Sequence, residues 1–137
     1  MPIAVGDVVE HRFVVETEQM AAFQALSNDY SRIHTDDEYA HSRGFKGAIV
    51  YGGIMMAHLS YVLGSKIPGS LGTSGRWQVD YRAPLYVGDS AVLRLEVTYV
   101  SKPMGVIQAK FTIRAREGLV ATGTVQSFVP ETEIAGE

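Results

Sequence analysis

The sequence contains no cysteine. That excludes disulfides, thiolate metal sites and cysteine nucleophiles together, and it fits a cytoplasmic setting. No apolar run is long enough for a membrane. The longest, from Gly52 to Leu63, is interrupted by His58 and falls short of the roughly 20 residues that a spanning helix needs. The chain does not open on a basic segment followed by an apolar one, so no signal peptide is expected. Positive charge is also scarce: 12 Lys and Arg against 15 Asp and Glu leave a net charge of −3, with the basic residues scattered. Such a chain carries no electrostatic footprint for nucleic acid. No glycine-rich loop of the P-loop or dinucleotide type occurs, and no grouping of residues supports a bound metal.

What remains is a 137-residue chain with 46% hydrophobic and 20% charged residues. One domain over 1–137 is expected, large enough to bury about two thirds of its unfolded surface. Its two halves differ in texture. Val8 to Val15 reads as a short strand, and the stretch from Thr17 to Leu63 is mostly helical. Thr17 is a plausible N-cap for a helix over Glu18 to Leu26, with Met20, Phe23 and Leu26 on one face. Thr35 and Glu38 fit a capping box for a helix over Asp36 to Ser42, stopped by Gly44. A third helix starts at Gly52-Gly53. It is apolar on nearly all sides, which predicts burial on several of them, and Pro68-Gly69 closes it.

The second half alternates. Arg76 to Arg82, Ala91 to Val100, Val106 to Arg116 and Leu119 to Val129 read as half-buried antiparallel strands. Turn signals separate them at Val87-Gly88-Asp89, Lys102-Pro103-Met104-Gly105 and Glu117-Gly118. The tail over 131–137 is polar and is expected to fray. One buried helix followed by antiparallel strands gives an α+β architecture, with a sheet wrapped around that helix.

Two places carry chemistry. Asp29 and His34 flank a short segment between two helix ends, where a carboxylate and an imidazole can share one water and take its proton. On spacing alone, the commoner arrangement is structural, with Asp as a cap and His bonded to backbone. Gly52-Gly53 leaves unpaired N–H groups at a helix start, and these can stabilise a developing oxyanion. Glycines there also serve a tight turn or close packing.

The segment Phe23, Leu26, Ser27, Asp29, Ile33, His34 resembles, in register, the signature of the R-specific enoyl-CoA hydratases and MaoC-like dehydratases. The resemblance continues through Asp36, Tyr39-Ala40, Gly44-Phe45 and Ile49-Val50 to the glycine-led helix at Gly52. It resumes over Tyr81-Arg82-Ala83-Pro84-Leu85-Tyr86-Val87-Gly88-Asp89, and in all it covers Val5 to about Pro130. It implies a hotdog fold, with antiparallel strands wrapped around a central helix. It also implies that Asp29 and His34 are the catalytic pair, with the Gly52 amide receiving the thioester oxygen. Ser31, Tyr51, Gly53 and Ser60 are the substrate-side candidates. Four positions depart from the family pattern: Asn28 replaces Gly, Ser31 replaces Asn, Arg32 replaces Pro, and Tyr51 replaces a frequent His. Asn28 is the mildest, because Asn accepts positive φ better than other non-glycines. Ser31 loses most, since one hydroxyl stands where an amide offered an acceptor and two donors.

The implied reaction is reversible addition of water to a trans-2-enoyl-CoA. The CoA thioester is substrate, no cofactor is needed, and a homodimer or higher homo-oligomer is expected. Alternatives are dehydration of a hydroxyacyl group on an acyl carrier protein, hydration of a short branched or dicarboxylic acyl-CoA, and a non-catalytic domain that binds acyl thioesters. Acyl hydrolysis is weaker, because no further suitably placed carboxylate stands out.

Overall fold

Alternation in the second half of the chain produces a single sheet. The computed structural model describes residues 2–116 and 118–136. Strand Val8–Val14 (β1) is followed by helices Thr17–Ser27 (α1), Arg32–Thr35 (α2), Asp37–Ser42 (α3) and Gly52–Ser65 (α4). Strands Thr73–Tyr81 (β2), Ser90–Ser101 (β3), Val106–Ala115 (β4) and Gly118–Phe128 (β5) complete the sheet, in the order β1-β3-β4-β5-β2 with every pair antiparallel. β1 joins beside β3, running from Val8 opposite Glu96 to Val14 opposite Ser90.

The two-residue period sorts the side chains. Leu93, Leu95 and Val97 of β3, Ala109, Phe111 and Ile113 of β4, and Ala121 and Val125 of β5 are buried, while Arg94 and Lys110 between them face water. Met55, Leu59, Val62 and Leu63 of α4 join most of those residues in one core. A fully buried leucine such as Leu59 stabilises the fold by roughly 1.5–3 kcal/mol. The helix is nevertheless buried on one side only, because a single curved sheet covers a single face. Ala57, Ser60, Tyr61 and Gly64 are exposed, which corrects the expectation of burial on several sides.

Local signals held with shifts of about one residue. Glu16, not Thr17, is the N-cap of α1, and it makes no side-chain cap bond. Met20 is buried and Phe23 partly so, but Leu26 is 83% exposed over an open groove between α1 and α4. Asp36, not Thr35, caps α3, accepting from the Tyr39 N–H at 3.1 Å. Thr35 instead ends α2, a short helix with no sequence signal of its own, and its hydroxyl donates to the Ser31 carbonyl. Gly44 stops α3 with φ of 90°. Of the Glu117-Gly118 turn, Glu117 lies outside the described residues.

The C-terminal stretch does not fray as far as Ala135. Glu131–Glu133 form a 3-10 turn, and Ile3 and Ile134 bridge in parallel. Both isoleucines are buried with Val97, Ile107 and Val129, so apolar burial at one end of the sheet offsets the entropy of a free tail. Glu137 lies outside the described residues. No helix among the described residues is long and apolar enough to cross a membrane.

Gly123 on β5 is where two strands and an aromatic ring approach most closely. A Cβ there would strike the Gln78 carbonyl oxygen and the Phe111 ring. Gly123→Ala is therefore expected to destabilise the protein by about 1–3 kcal/mol, as overpacking does. Urea unfolding read by tryptophan fluorescence measures it, and an unchanged midpoint would show that the sheet opens there at no cost.

Candidate active site

α1 ends at Ser27, and Asn28 then takes the left-handed conformation, with φ of 58° and its N–H bonded to the Gln24 carbonyl. Asn is the side chain other than glycine that best tolerates this. The turn aims Asp29 out of the helix end. The Ser27 hydroxyl donates to the Phe23 carbonyl and accepts from the Asp29 N–H, which fixes the turn. Ser31 closes the next one: its N–H and its hydroxyl both donate to Asp29 Oδ1, at 2.9 and 2.7 Å. These two hydrogen bonds lower the Asp29 pKa, burial opposes them, and the nearby His34 adds a smaller lowering. Ser31 is thus engaged with Asp29.

His34 sits in α2, which Arg32 helps to hold. The Arg32 guanidinium reaches Asp36 Oδ2 at 3.2 Å and lies 4.6 Å from the Tyr39 ring centroid. Asp36 therefore caps α3 with one oxygen and ties down α2 with the other, and both contacts lower its pKa, the Tyr39 N–H more than Arg32. His34 Nδ1 lies 2.8 Å from the Ile49 carbonyl oxygen. A carbonyl only accepts, so Nδ1 carries the hydrogen, and in the neutral ring Nε2 keeps its lone pair. The Ile49 N–H bonds back to the Ile33 carbonyl, so the two segments are clasped from both sides. No hydrogen bond joins the Asp29 and His34 side chains among the described residues.

Tyr51 links the pair. Only 1% of it is exposed, so it supports the site from beneath. Its hydroxyl donates to the Asp29 carbonyl at 2.6 Å, and its ring stacks 4.1 Å from His34 and lies tilted 4.7 Å from Phe23. The next residue, Gly52, begins α4. The N–H groups of Gly52 and Gly53 have no acceptor among the described residues. A Cβ on Gly53 would strike the Phe23 ring, and one on Gly52 would strike Tyr81, so close packing also demands glycine at both positions. Ser60 is exposed two turns further on. It makes no side-chain hydrogen bond among the described residues, and it borders a cavity of about 180 Å³ with Leu63, Trp77 and Ser127.

The structure therefore brings Asp29, Ser31, His34 and Tyr51 together beside the first turn of α4, with Ser60 set apart. Sequence reasoning missed the supporting contacts of Tyr51, the Ile49 carbonyl and the approach of Tyr81. Tyr81 heads the Tyr81–Asp89 motif, which was the signal available for it. His11 and His58, assigned no part from the sequence, share a hydrogen bond of 3.0 Å on the β1 side of α4, and burial lowers both pKa values. They flank an apolar groove away from the Asp29–His34 pair. No group of three or more His, Cys, Asp or Glu that could hold a metal occurs among the described residues.

The Ser31 contacts make a testable claim about charge. Ser31→Ala removes the hydroxyl bond, so the Asp29 pKa should rise towards its ordinary value, followed by NMR of the side-chain carboxyl. Asp29 has a depressed pKa when folded. Its stabilising contribution is present above the unfolded value and is lost as pH falls through the folded one; in the variant that contribution is smaller and its loss is complete at higher pH. An unmoved titration would remove the Ser31 hydroxyl as a cause and leave the backbone N–H.

Comparison with known proteins places this geometry. Residues 3–117 match the family model described as MaoC like domain. The (R)-specific enoyl-CoA hydratase of Aeromonas caviae is 30% identical over 94 residues, covering 67% of this chain and 70% of its own. The solved structure of the (R)-hydratase from A. caviae involved in PHA biosynthesis superposes with a TM-score of 0.87 at 26% identity, over 93% of this chain and 98% of that one. The mitochondrial 3-hydroxyacyl-[acyl-carrier-protein] dehydratase of Arabidopsis thaliana is 23% identical over 136 residues, 96% of this chain and 81% of its own. A hydratase and a dehydratase are both hydro-lyases, and the solved A. caviae structure shares the fold of this chain. With 115 of its residues matching the family model, the chain belongs to the MaoC-like domain family.

Proposed function

We propose that this protein, acting as a single domain over 1–137, catalyses reversible addition of water to a trans-2-enoyl-CoA. The observation that carries the reading is the placement of Asp29 and His34. Both are tied through Tyr51 to a helix start whose first two amides have no acceptor among the described residues, and the Ile49 carbonyl takes the His34 Nδ1 hydrogen, which leaves Nε2 as the acceptor of the neutral ring. Asp29 and His34 bind one water, and His34 Nε2 takes its proton. The hydroxide oxygen bonds to the β-carbon. The electron pair of the carbon–carbon double bond moves towards the thioester, whose oxygen gains negative charge and is met by the Gly52 N–H. The proton then passes from His34 to the α-carbon, so atoms and charge balance. Only protons move, so the reading calls for no cofactor. The cysteine-free chain is taken as cytoplasmic.

Dehydration of a hydroxyacyl group on a carrier protein is a second reading of the same chemistry. It is favoured by the carrier-protein dehydratase relative that aligns with 96% of this chain. Loss of absorbance at the enoyl thioester band, across CoA-linked and carrier-linked substrates of several lengths, separates the two. Asp29→Asn and His34→Ala should each lower turnover by roughly two to four orders of magnitude with the fold intact. The double variant should be little worse than the worse single one, because both groups act on one water. Near-normal rates in both single variants would refute the mechanism.

We further propose a homodimer. β2 ends the sheet with eight of its nine residues exposed, including Trp77 and Tyr81, and such an edge needs cover. Light scattering on an active sample should give about twice the 14.9 kDa chain mass. A mass equal to one chain would rule the dimer out.

A further inference from the structure

Tyr81 is the last residue of β2, and its placement is fixed on both sides. It pairs with Ala121 of β5, and four residues later the Leu85 carbonyl accepts from the Val50 N–H, beside the start of α4. The strand end and the helix start are therefore held against each other independently of the Tyr81 side chain. Between them lies the phenol end of that side chain. A Cβ built on Gly52 would stand 2.6 Å from Tyr81 Cζ, 2.7 Å from its hydroxyl oxygen and 2.9 Å from Cε1. It is the polar tip of the ring, and not its apolar body, that is packed over the first residue of α4.

Three further observations bear on what that hydroxyl does. It has no hydrogen-bond partner among the described residues, although Tyr51, Tyr86 and Tyr39 all use theirs. The residue is half exposed. Burial of its remaining surface raises its pKa above the ordinary value, which keeps the hydroxyl protonated and able to donate. The Gly52 N–H beside it is unpaired as well. Two uncommitted donors thus stand together where the helix dipole already favours negative charge.

We propose that Tyr81 is a catalytic residue whose hydroxyl donates a second hydrogen bond to the thioester oxygen held by the Gly52 amide. The inference rests on the enoyl thioester reading above, and it adds a residue to that site. One N–H satisfies one lone pair of the oxygen, and the second is left for Tyr81. As water adds, charge accumulates on that oxygen, so both bonds strengthen in the transition state. Gly52 is then required for a chemical reason as well as a packing one, since any side chain there would push the Tyr81 hydroxyl off the oxygen.

Tyr81→Phe keeps the ring and removes only the donor. With crotonyl-CoA, kcat should fall roughly 10²-fold, the scale of losing one oxyanion donor, while KM changes little. A second measurement does not depend on turnover. Infrared spectroscopy of bound butyryl-CoA labelled with ¹³C at the thioester carbonyl should show the carbonyl band shifted to lower frequency in the wild-type protein, and a smaller shift in Tyr81→Phe. Equal bands and equal kcat in the two proteins would overturn the assignment while leaving the hydratase reading intact. A wild-type protein that shows the band shift yet hydrates no enoyl thioester would defeat that reading and support the hydrogen bond alone. A shift that is equal in both proteins, with no turnover, would overturn both.

Discussion

The site depends on one buried phenol. Tyr51 touches the Asp29 backbone, the His34 ring and the Phe23 ring together, and it is also the N-cap of α4. A buried hydroxyl without a partner costs about 1–3 kcal/mol, so the Tyr51 bond to the Asp29 carbonyl is obligatory for the fold. Because it is obligatory, the turn carrying Asp29 cannot drift without exposing or orphaning that group. The stacking contact does the same for the imidazole. Packing and the geometry of the Asp29–His34 pair are therefore set by the same side chain, and the sheet supplies the floor under α4 against which the arrangement is held.

Electrostatics refine that frame. Ser31 holds Asp29 ionised, and the Ile49 carbonyl fixes which nitrogen of His34 bears hydrogen. Neither partner would touch substrate in the proposed reaction. Ser31 lowers a carboxyl pKa and Ile49 selects an imidazole tautomer, both of use to the proposed acid–base pair before a water arrives. The replacement of the family's Asn by Ser31 is in this light no simple loss, since its hydroxyl joins its own backbone N–H on one Asp29 carboxylate oxygen.

Strand periodicity was legible because inward and outward residues alternate strictly, as in Leu93-Arg94-Leu95. Asp29 and His34 were legible as candidates through the pattern of residues around them, not through their own spacing. α2 was not legible: four residues with no cap bond have no local signature, and they are helical because Ile49 and Asp36 hold them. The one-residue shift from Thr35 to Asp36 arose because both residues can cap, and only the contact with Arg32 decides between them. Burial of Ile134 escaped notice because its partner, Ile3, lies at the opposite end of the chain. The burial of Tyr51 beneath the His34 ring was not legible, because nothing in a linear sequence distinguishes a tyrosine under an imidazole from one beside it.

Arg32 occupies the first position of α2, where the family pattern has proline. Proline suits a helix start because its ring presets φ and its missing N–H has no intrahelical acceptor to lose. Arg32 achieves order at the same place by pairing with Asp36 and lying over Tyr39, in a contact largely open to solvent. A covalent restraint is indifferent to its medium, whereas an exposed ion pair is worth at most about 1 kcal/mol and is screened by salt. The stiffness of the turn between Asp29 and His34 in this protein is thus a function of ionic strength. Potassium or magnesium in the surrounding solution becomes a weak dial on how well the pair is preorganised, a dependence that a proline at the same position would not have.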